Sequence, residues 1–118
     1  MTTVRTKKLS EFCNIATGGT PSRENLHEFF GGSIPWVKSG ELEDAPINKT
    51  EEMLTELGLQ NSNARYFPKN TVLVALYGAT VGKTAILEIE ATTNQAIAGI
   101  VPDKDVAEYE YIFYFLRF

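Results

Sequence analysis

The stretch TVLVALYGATVGKTAILEI, residues Thr71 to Ile89, decides which fold this chain can adopt. Its first seven residues are mostly β-branched or aliphatic, which favours a buried strand. From Thr84 onwards every second residue shares a side, with Ala85, Leu87 and Ile89 on one face. Glycines flank the residues between these two runs. The stretch therefore predicts a strand, a glycine-flanked turn and a second strand.

The turn also carries a Gly-Lys-Thr sequence of the kind that binds nucleotide phosphates. A phosphate loop requires four residues between its first glycine and Gly-Lys-Thr, followed by a helix whose N–H groups hold the anion. Here only three residues separate Gly78 from Gly82, and a strand pattern follows Lys83. We therefore interpret the segment as a β-turn and keep ATP binding as the weaker alternative.

Length and composition bound the remaining possibilities. The chain has 118 residues, of which 43% are hydrophobic, as expected for one small globular domain spanning residues 1–118. The apolar run from Val72 to Ala79 is far shorter than the roughly 20 residues of a membrane helix. Residues 1–12 are too polar for a signal peptide. With a single cysteine as well, we expect a cytoplasmic protein without membrane contact.

Short segments separated by glycine and proline predict a mixed domain around the hairpin. Leu9–Thr17 is a strand or one helical turn, and Ala96–Val101 is a strand. Asn25–Phe30 predicts a brief helix that ends at the following glycine pair. Met53–Leu59 predicts another, capped by Thr50 or Thr55. The expected fold is α+β, with a small twisted and mostly antiparallel sheet and short helices.

The last segment predicts an aromatic-rich C-terminal helix. The Asp-x-x-Glu arrangement of residues 105–108 matches a capping box. Apolar residues then repeat at helical spacing on one face: Tyr109, Ile112, Phe113 and Leu116. Other aromatic residues cover the remaining faces, so this helix requires burial on several sides. Either a partner covers it, or the natural protein continues past Phe118.

The sequence offers no evident catalytic or metal-binding chemistry. The one histidine, His27, has no second ligand at metal-binding spacing, and no nucleophilic serine motif is visible. The carboxylates between Glu41 and Glu56 lack the spacing of a calcium loop, so we expect a solvated acidic rim. We predict a protein that is not an enzyme, without catalytic residues, metal or cofactor.

A net charge of −4 argues against a free-standing nucleic-acid binder, because such binding requires a dense basic surface. Several cations nevertheless lie at the amino end or beside glycine-rich turns. A locally basic face therefore remains possible on an acidic domain.

Four segments stand in a specific order along the chain. They are GGTPSRE at Gly18–Glu24, IPWVKSGEL at Ile34–Leu42, LYGATVGKTAIL at Leu76–Leu87 and TNQAIAGI at Thr93–Ile100. This series resembles the target recognition domain of the specificity subunit of type I restriction–modification enzymes. The resemblance runs from about Lys8 to the terminal aromatic helix. Members of that family usually carry two such domains and long spacer helices, whereas this sequence has one domain and neither helix.

The resemblance implies a module that reads one half of a bipartite site in double-stranded DNA. Methylation and ATP-driven cleavage would then belong to separate methyltransferase (M) and restriction (R) subunits. The departure from the two-domain pattern predicts a truncated or half-length subunit, which could associate with a second copy through the face of Tyr109, Ile112, Phe113 and Leu116. A competing hypothesis is a protein-interaction module that uses this helix and does not bind DNA by itself.

The resemblance also directs attention to polar residues beside the glycine-rich turns. The candidate DNA-binding residues are Thr20, Ser22, Arg23, Lys38, Ser39, Tyr77, Thr80, Lys83, Asn94 and Gln95. Hydroxyls and cations beside glycines suit contacts to phosphates, and amides suit contacts to adenine. We expect Trp36 in the core rather than stacked on a base. Base-reading residues should lie in the less patterned loops Glu43–Asn48 or Asn61–Tyr66.

Overall fold

The computed structural model describes residues 13–102, which form two β-sheets and two short α-helices. The strands are β1 (Cys13–Thr17), β2 (Phe30–Val37), β3 (Ala45–Ile47), β4 (Glu52–Leu54), β5 (Val72–Ala75), β6 (Thr84–Leu87), β7 (Thr92–Thr93) and β8 (Ile97–Pro102). The helices are α1 (Leu26–Phe29) and α2 (Glu56–Gln60), with 3-10 turns at Arg23–Asn25 and Ser39–Glu41. Neither described helix is long and apolar enough to cross a membrane. The predicted aromatic helix lies outside the described residues.

The larger sheet has the strand order β1-β8-β5-β6-β3 and is built around the predicted hairpin. Strands β5 and β6 pair antiparallel, with Val72 opposite Ile86 and Val74 opposite Thr84. The prediction of strand, turn and strand is therefore confirmed. Because a strand follows Lys83, the helix N-terminus that a phosphate loop requires is missing here, and the ATP-loop alternative is wrong.

A second sheet, with the order β4-β2-β7, corrects the prediction of one sheet. Strand β2 pairs antiparallel with β4 and parallel with β7. Phe30 and Ile34 both face Leu54, so β2 bulges at the glycine pair between them, where Gly31 has φ 86°. The α+β class and the mostly antiparallel pairing are confirmed, since the two parallel pairs are β2–β7 and β3–β6.

Two helix predictions need corrected bounds. Helix α1 ends at Phe29, and the glycines expected to terminate it belong to the β2 bulge instead. The segment from Met53 to Leu59 divides, because Met53 and Leu54 pair with β2 while helix α2 begins at Glu56. The Thr55 hydroxyl caps α2 by accepting a hydrogen bond from the Gly58 N–H at 3.0 Å. Strand pairing thus overrides helix propensity at the first two residues.

Strand β2 separates two apolar clusters. Trp36 is 1% exposed and packs with Phe30, Ile34 and Leu54. Its neighbour Val37 is fully buried in the other cluster. Adjacent strand residues point to opposite faces, so β2 contributes to both clusters. The larger cluster comprises Val37, Leu42, Ile47, Phe67, Leu73, Ala75, Ala85, Leu87, Ala91 and Ile97. The expected core position of Trp36 is confirmed.

The loop after β1 fits tightly against the second sheet at Gly19. Its N–H donates to the Thr93 carbonyl at 2.9 Å, and its carbonyl accepts from the indole Nε1 of Trp36 at 3.0 Å. A Cβ on Gly19 would lie 2.5 Å from backbone atoms of Asn63 and Ala64. Only glycine therefore fits this position without a backbone shift.

We predict that Gly19→Ala lowers the free energy of unfolding by about 1–3 kcal/mol, because the methyl group meets backbone that cannot rotate away. Gly40→Ala is the matched control, since a Cβ there has no neighbour within 4 Å. That control should stay within about 1 kcal/mol of wild type. Denaturant unfolding measures both variants. Equal stabilities would contradict the close packing of Gly19.

Candidate nucleic-acid interface

The loop after β1 meets the loop between β7 and β8. The Thr20 hydroxyl donates a hydrogen bond to the side-chain carbonyl of Gln95. The Asn94 N–H donates to the Val37 carbonyl at 2.9 Å, which places this loop beside the end of β2. Three of the four segments that carry the family resemblance are therefore adjacent.

The hairpin tip, residues Leu76–Lys83, completes the same surface. The Leu76 N–H donates to the Ala96 carbonyl at 2.7 Å. The Thr80 hydroxyl donates to the Ser39 carbonyl at 2.8 Å. The loop face, as we call this surface, consists of Gly18–Thr20, Lys38–Gly40, Leu76–Lys83 and Asn94–Gln95. Loops distant in sequence thus form one continuous edge.

Glycines shape the hairpin tip. Gly78 and Gly82 have φ values of 94° and 85°, a conformation that side-chain-bearing residues rarely adopt. The Gly82 N–H closes the turn onto the Ala75 carbonyl at 2.9 Å. The tip consequently presents Tyr77, which is 53% exposed, and Val81, which is 62% exposed. The motif serves to shape a protruding turn.

Each predicted DNA-binding cation is held by a carboxylate. Lys83 Nζ lies 3.5 Å from Asp44. Lys38 Nζ lies 3.0 Å from both Glu51 and Glu52. The predicted acidic rim is solvated at Glu51, which is 69% exposed. Asp44 and Glu52 are only 28% and 27% exposed, and they contact cations of the same chain, which corrects the prediction for these two carboxylates. No sequence pattern predicts the contact between Lys83 and Asp44, which are 39 residues apart.

Arg23 is held in place by contacts with other side chains. Its guanidinium donates to both carboxylate oxygens of Glu52, at 2.9 and 3.1 Å. It also lies over the rings of Phe30 and Trp36, with 4.6 and 5.5 Å to the ring centroids. Glu52 joins Arg23 to Lys38, so Arg23 borders the loop face. The neighbouring Ser22 accepts from the Glu24 N–H at 3.2 Å and begins the first 3-10 turn.

These contacts favour the charged forms of Arg23, Lys38 and Glu52. The hydrogen bond to Glu52 raises the pKa of Arg23, and the same bond lowers the pKa of Glu52 against the opposing effect of burial. Hydrogen bonds to Glu51 and then Glu52 raise the pKa of Lys38. The loop face therefore carries cations and anions together at neutral pH.

Asp44 is the one of these three carboxylates that also accepts a hydrogen bond from a backbone N–H. It accepts from the Thr84 N–H at 2.9 Å and from the Thr84 hydroxyl at 3.0 Å. Its own N–H donates to the Thr84 carbonyl at 2.8 Å, and its φ is 60°. The backbone N–H of Thr84 is the main cause of a lowered Asp44 pKa, with burial opposing it and the Thr84 hydroxyl and Lys83 assisting.

The two candidate amides differ in their roles. Asn94 is half-buried, and its side-chain oxygen accepts from the Ala96 N–H at 3.1 Å, so it shapes its own turn. Gln95 is exposed beside Thr20. An amide oxygen has a second lone pair, so Gln95 still presents an acceptor and two donors to a base edge.

The two loops expected to read bases lie in different settings. Half of Glu43–Asn48 is strand β3, which pairs parallel with β6. Asn61–Tyr66 is a loop pressed against Gly19, with Arg65 and Tyr66 exposed. Of the two, Asn61–Tyr66 is the one that is a loop throughout and lies beside the loop face.

An open cleft of about 470 Å³ lies behind the Lys38–Gly40 turn, lined by Gly40, Glu41, Glu43, Lys49, Thr50 and Glu51. Glu41 is engaged there, since its carboxylate accepts from the N–H groups of Lys38 and Glu51. Within residues 13–102 no group of three or more ligands could hold a metal ion. The excess of carboxylates makes this cleft unsuitable for phosphates.

Comparison with known proteins gives a consistent result. The family model of the type I restriction modification DNA specificity domain matches residues 1–118. The MjaIX specificity subunit of Methanocaldococcus jannaschii, a type I restriction enzyme component, is 35% identical over 114 residues. The EcoR124I/EcoR124II specificity subunit of Escherichia coli is 25% identical over 116 residues. These matches cover 94% and 96% of this chain, but only 26% and 28% of the relatives, so the chain spans about a quarter of their length.

Solved structures share the fold. The HsdS subunit from Thermoanaerobacter tengcongensis superposes with a TM-score of 0.71 at 18% identity, over 92% of this chain and 26% of that one. The type I restriction–modification S subunit from M. genitalium gives a TM-score of 0.66 at 16% identity, over 94% and 25%.

The lowered pKa of Asp44 predicts how its contribution to stability varies with pH. A carboxyl whose pKa is lower in the folded state stabilises the protein at pH values above its ordinary pKa of 3.8. This contribution disappears as the pH falls through the folded pKa. Asp44→Asn should therefore be less stable than wild type at neutral pH, with a difference that shrinks on acidification. Denaturant unfolding midpoints of both proteins, measured from neutral to acidic pH, give this difference. A difference independent of pH would contradict the assignment.

Proposed function

Since the chain belongs to the type I restriction modification DNA specificity domain family, we propose that it reads one half of a bipartite target in double-stranded DNA. Methyltransferase and restriction subunits would act at the site that it selects. The relatives support this proposal, because both are named as specificity subunits of type I restriction enzymes. Because the chain corresponds to a quarter of their length, the activity of a whole specificity subunit extends beyond what these residues supply.

The loop face is the observation that carries the proposal. Hydrogen bonds between Thr20 and Gln95, and between Thr80 and Ser39, bring hydroxyl, amide and cationic groups to one edge. Protein–DNA interfaces combine these groups, since contacts to phosphates fix the register and contacts to base edges supply the sequence information. A scattered distribution of the same residues could not follow a duplex groove.

Position on the loop face suggests separate roles for its residues. Lys83 and Lys38 would contact phosphates, together with the hydroxyls of Thr20 and Thr80. Gln95 would contact a base edge, where an amide can pair with adenine. Ser22 and Arg23, which lie beside the second sheet, would position the neighbouring loop and extend the phosphate contacts.

The same arrangement favours recognition over catalysis by this chain. None of the groups on the loop face pairs a nucleophile with a general base, since His27, the one histidine, is exposed on helix α1. We infer that methylation and cleavage belong to partner subunits, which would also neutralise phosphates that an acidic domain leaves unpaired. Family membership does not favour the alternative of an interaction module without DNA binding.

Selection from a random duplex library tests the proposal directly. The 118-residue chain, assembled with type I methyltransferase subunits, should enrich a short defined sequence over competitor DNA. Recovery of all sequences at equal frequency would refute recognition by this chain.

Lys83→Ala separates backbone contact from base reading. If Lys83 binds a phosphate, its loss should weaken binding to every duplex by a similar factor and reduce the salt slope by about 1. Lys69→Ala is the matched control, because Lys69 is an exposed lysine in the turn before β5, at the opposite end of the hairpin. Fluorescence anisotropy over a salt series measures both variants. Equal slopes for the two variants would remove Lys83 from the interface.

A further inference from the structure

We propose that Asp44 and Glu52 suppress sequence-independent DNA binding by occupying the cations of the loop face. This inference rests on the proposed function, because it concerns how the same surface distinguishes DNA sequences. The two carboxylates would act as internal competitors of the DNA phosphates. Their substitution should therefore increase binding to arbitrary DNA.

The pairing is complete across the candidate cations. Arg23 forms a two-bond contact with Glu52, and Lys38 contacts Glu52 at 3.0 Å. Lys83 is held by Asp44. By contrast, Lys49 and Lys69 form no ion pair with any residue between 13 and 102. The carboxylates thus accompany the cations that the proposed function uses.

Folding stability gives a weak reason for these pairs. The side chains of Arg23 and Lys83 are 51% and 54% exposed, and exposed ion pairs contribute little to stability. Asp44 would keep its bonds to Thr84 without the lysine. The lysine contact is therefore an additional feature of a carboxylate that the fold already fixes.

Competition at the cations acts most strongly on sequence-independent complexes. Such complexes derive essentially all their affinity from phosphate contacts. A phosphate that approaches Lys83 must replace Asp44 as the partner of the lysine. The Asp44 carboxylate is held by Thr84, so it stays nearby and repels the phosphate. A specific complex has base contacts to offset this cost. An arbitrary sequence has none.

Near-isosteric variants test the mechanism. Asp44→Asn keeps an oxygen for the Thr84 donors and suits the positive φ at this position, while removing the charge. Glu52→Gln likewise removes the charge, and it keeps one of the two oxygens that accept from Arg23. In the full chain, the double variant should bind a mixed-sequence duplex about threefold to tenfold more tightly at low salt. Its salt slope should steepen by about 1 for each of the released cations, Arg23 and Lys83, whereas Lys38 keeps its contact with Glu51.

Two controls separate release of a cation from a general change in charge. Glu88→Gln removes one exposed carboxylate just beyond β6, at the end distant from Lys83, and should leave affinity and slope near wild type. Asp44→Asn introduced into Lys83→Ala should no longer steepen the slope, because no lysine is left to release. Circular dichroism confirms that each variant retains its fold.

The outcomes distinguish this inference from the proposed function. If wild type enriches one sequence but Asp44→Asn and Glu52→Gln behave like Glu88→Gln, the inference fails and recognition stands. If wild type enriches no sequence, the proposed function fails and the inference fails with it. A steeper slope in Asp44→Asn that persists without Lys83 would also overturn the role of Asp44.

Discussion

The hydrogen bond from the Trp36 indole N–H to the Gly19 carbonyl joins the loop face to the core of the protein. A buried indole N–H requires an acceptor, and the core therefore fixes the position of the loop that supplies it. The Gly19 N–H donates to the Thr93 carbonyl, and the backbone of Asn63 and Ala64 leaves no room for a Cβ on Gly19. These contacts fix the backbone next to Thr20, whose hydroxyl donates to Gln95. The position of the loop face depends on this close approach, which only glycine permits.

Charge on this surface is arranged by pairing. An acidic chain with a net charge of −4 places Arg23, Lys38 and Lys83 beside the carboxylates Glu52, Glu51 and Asp44. Such a surface has little long-range attraction for a polyanion, and its affinity must come from contacts made at short range. This is a suitable property for a module whose task, as proposed, is to discriminate among sequences.

Local patterns predicted local structure well. The period-two run after Thr84 and the aliphatic run before Leu76 predicted the hairpin, because both strands pair with sequence neighbours through one short turn. Thr55, one of the two caps predicted for helix α2, is confirmed, as is the burial of Trp36. Strands β2, β3, β4 and β7 were not predicted. Of these, β3 and β7 are three residues or fewer and exist because a distant partner, β6 or β2, supplies their hydrogen bonds.

The sequence by itself determined the hairpin, the α+β class and the order of four segments that marks the family. It also indicated the hydroxyls, amides and cations from which a DNA-binding surface could be built. Tertiary structure alone decided that strand β2 divides two clusters and that Thr20 meets Gln95, 75 residues away. It alone decided that Arg23 meets Glu52 and Lys83 meets Asp44. Periodicity records which side of its own element a residue occupies, whereas such pairings depend on how separate elements pack together.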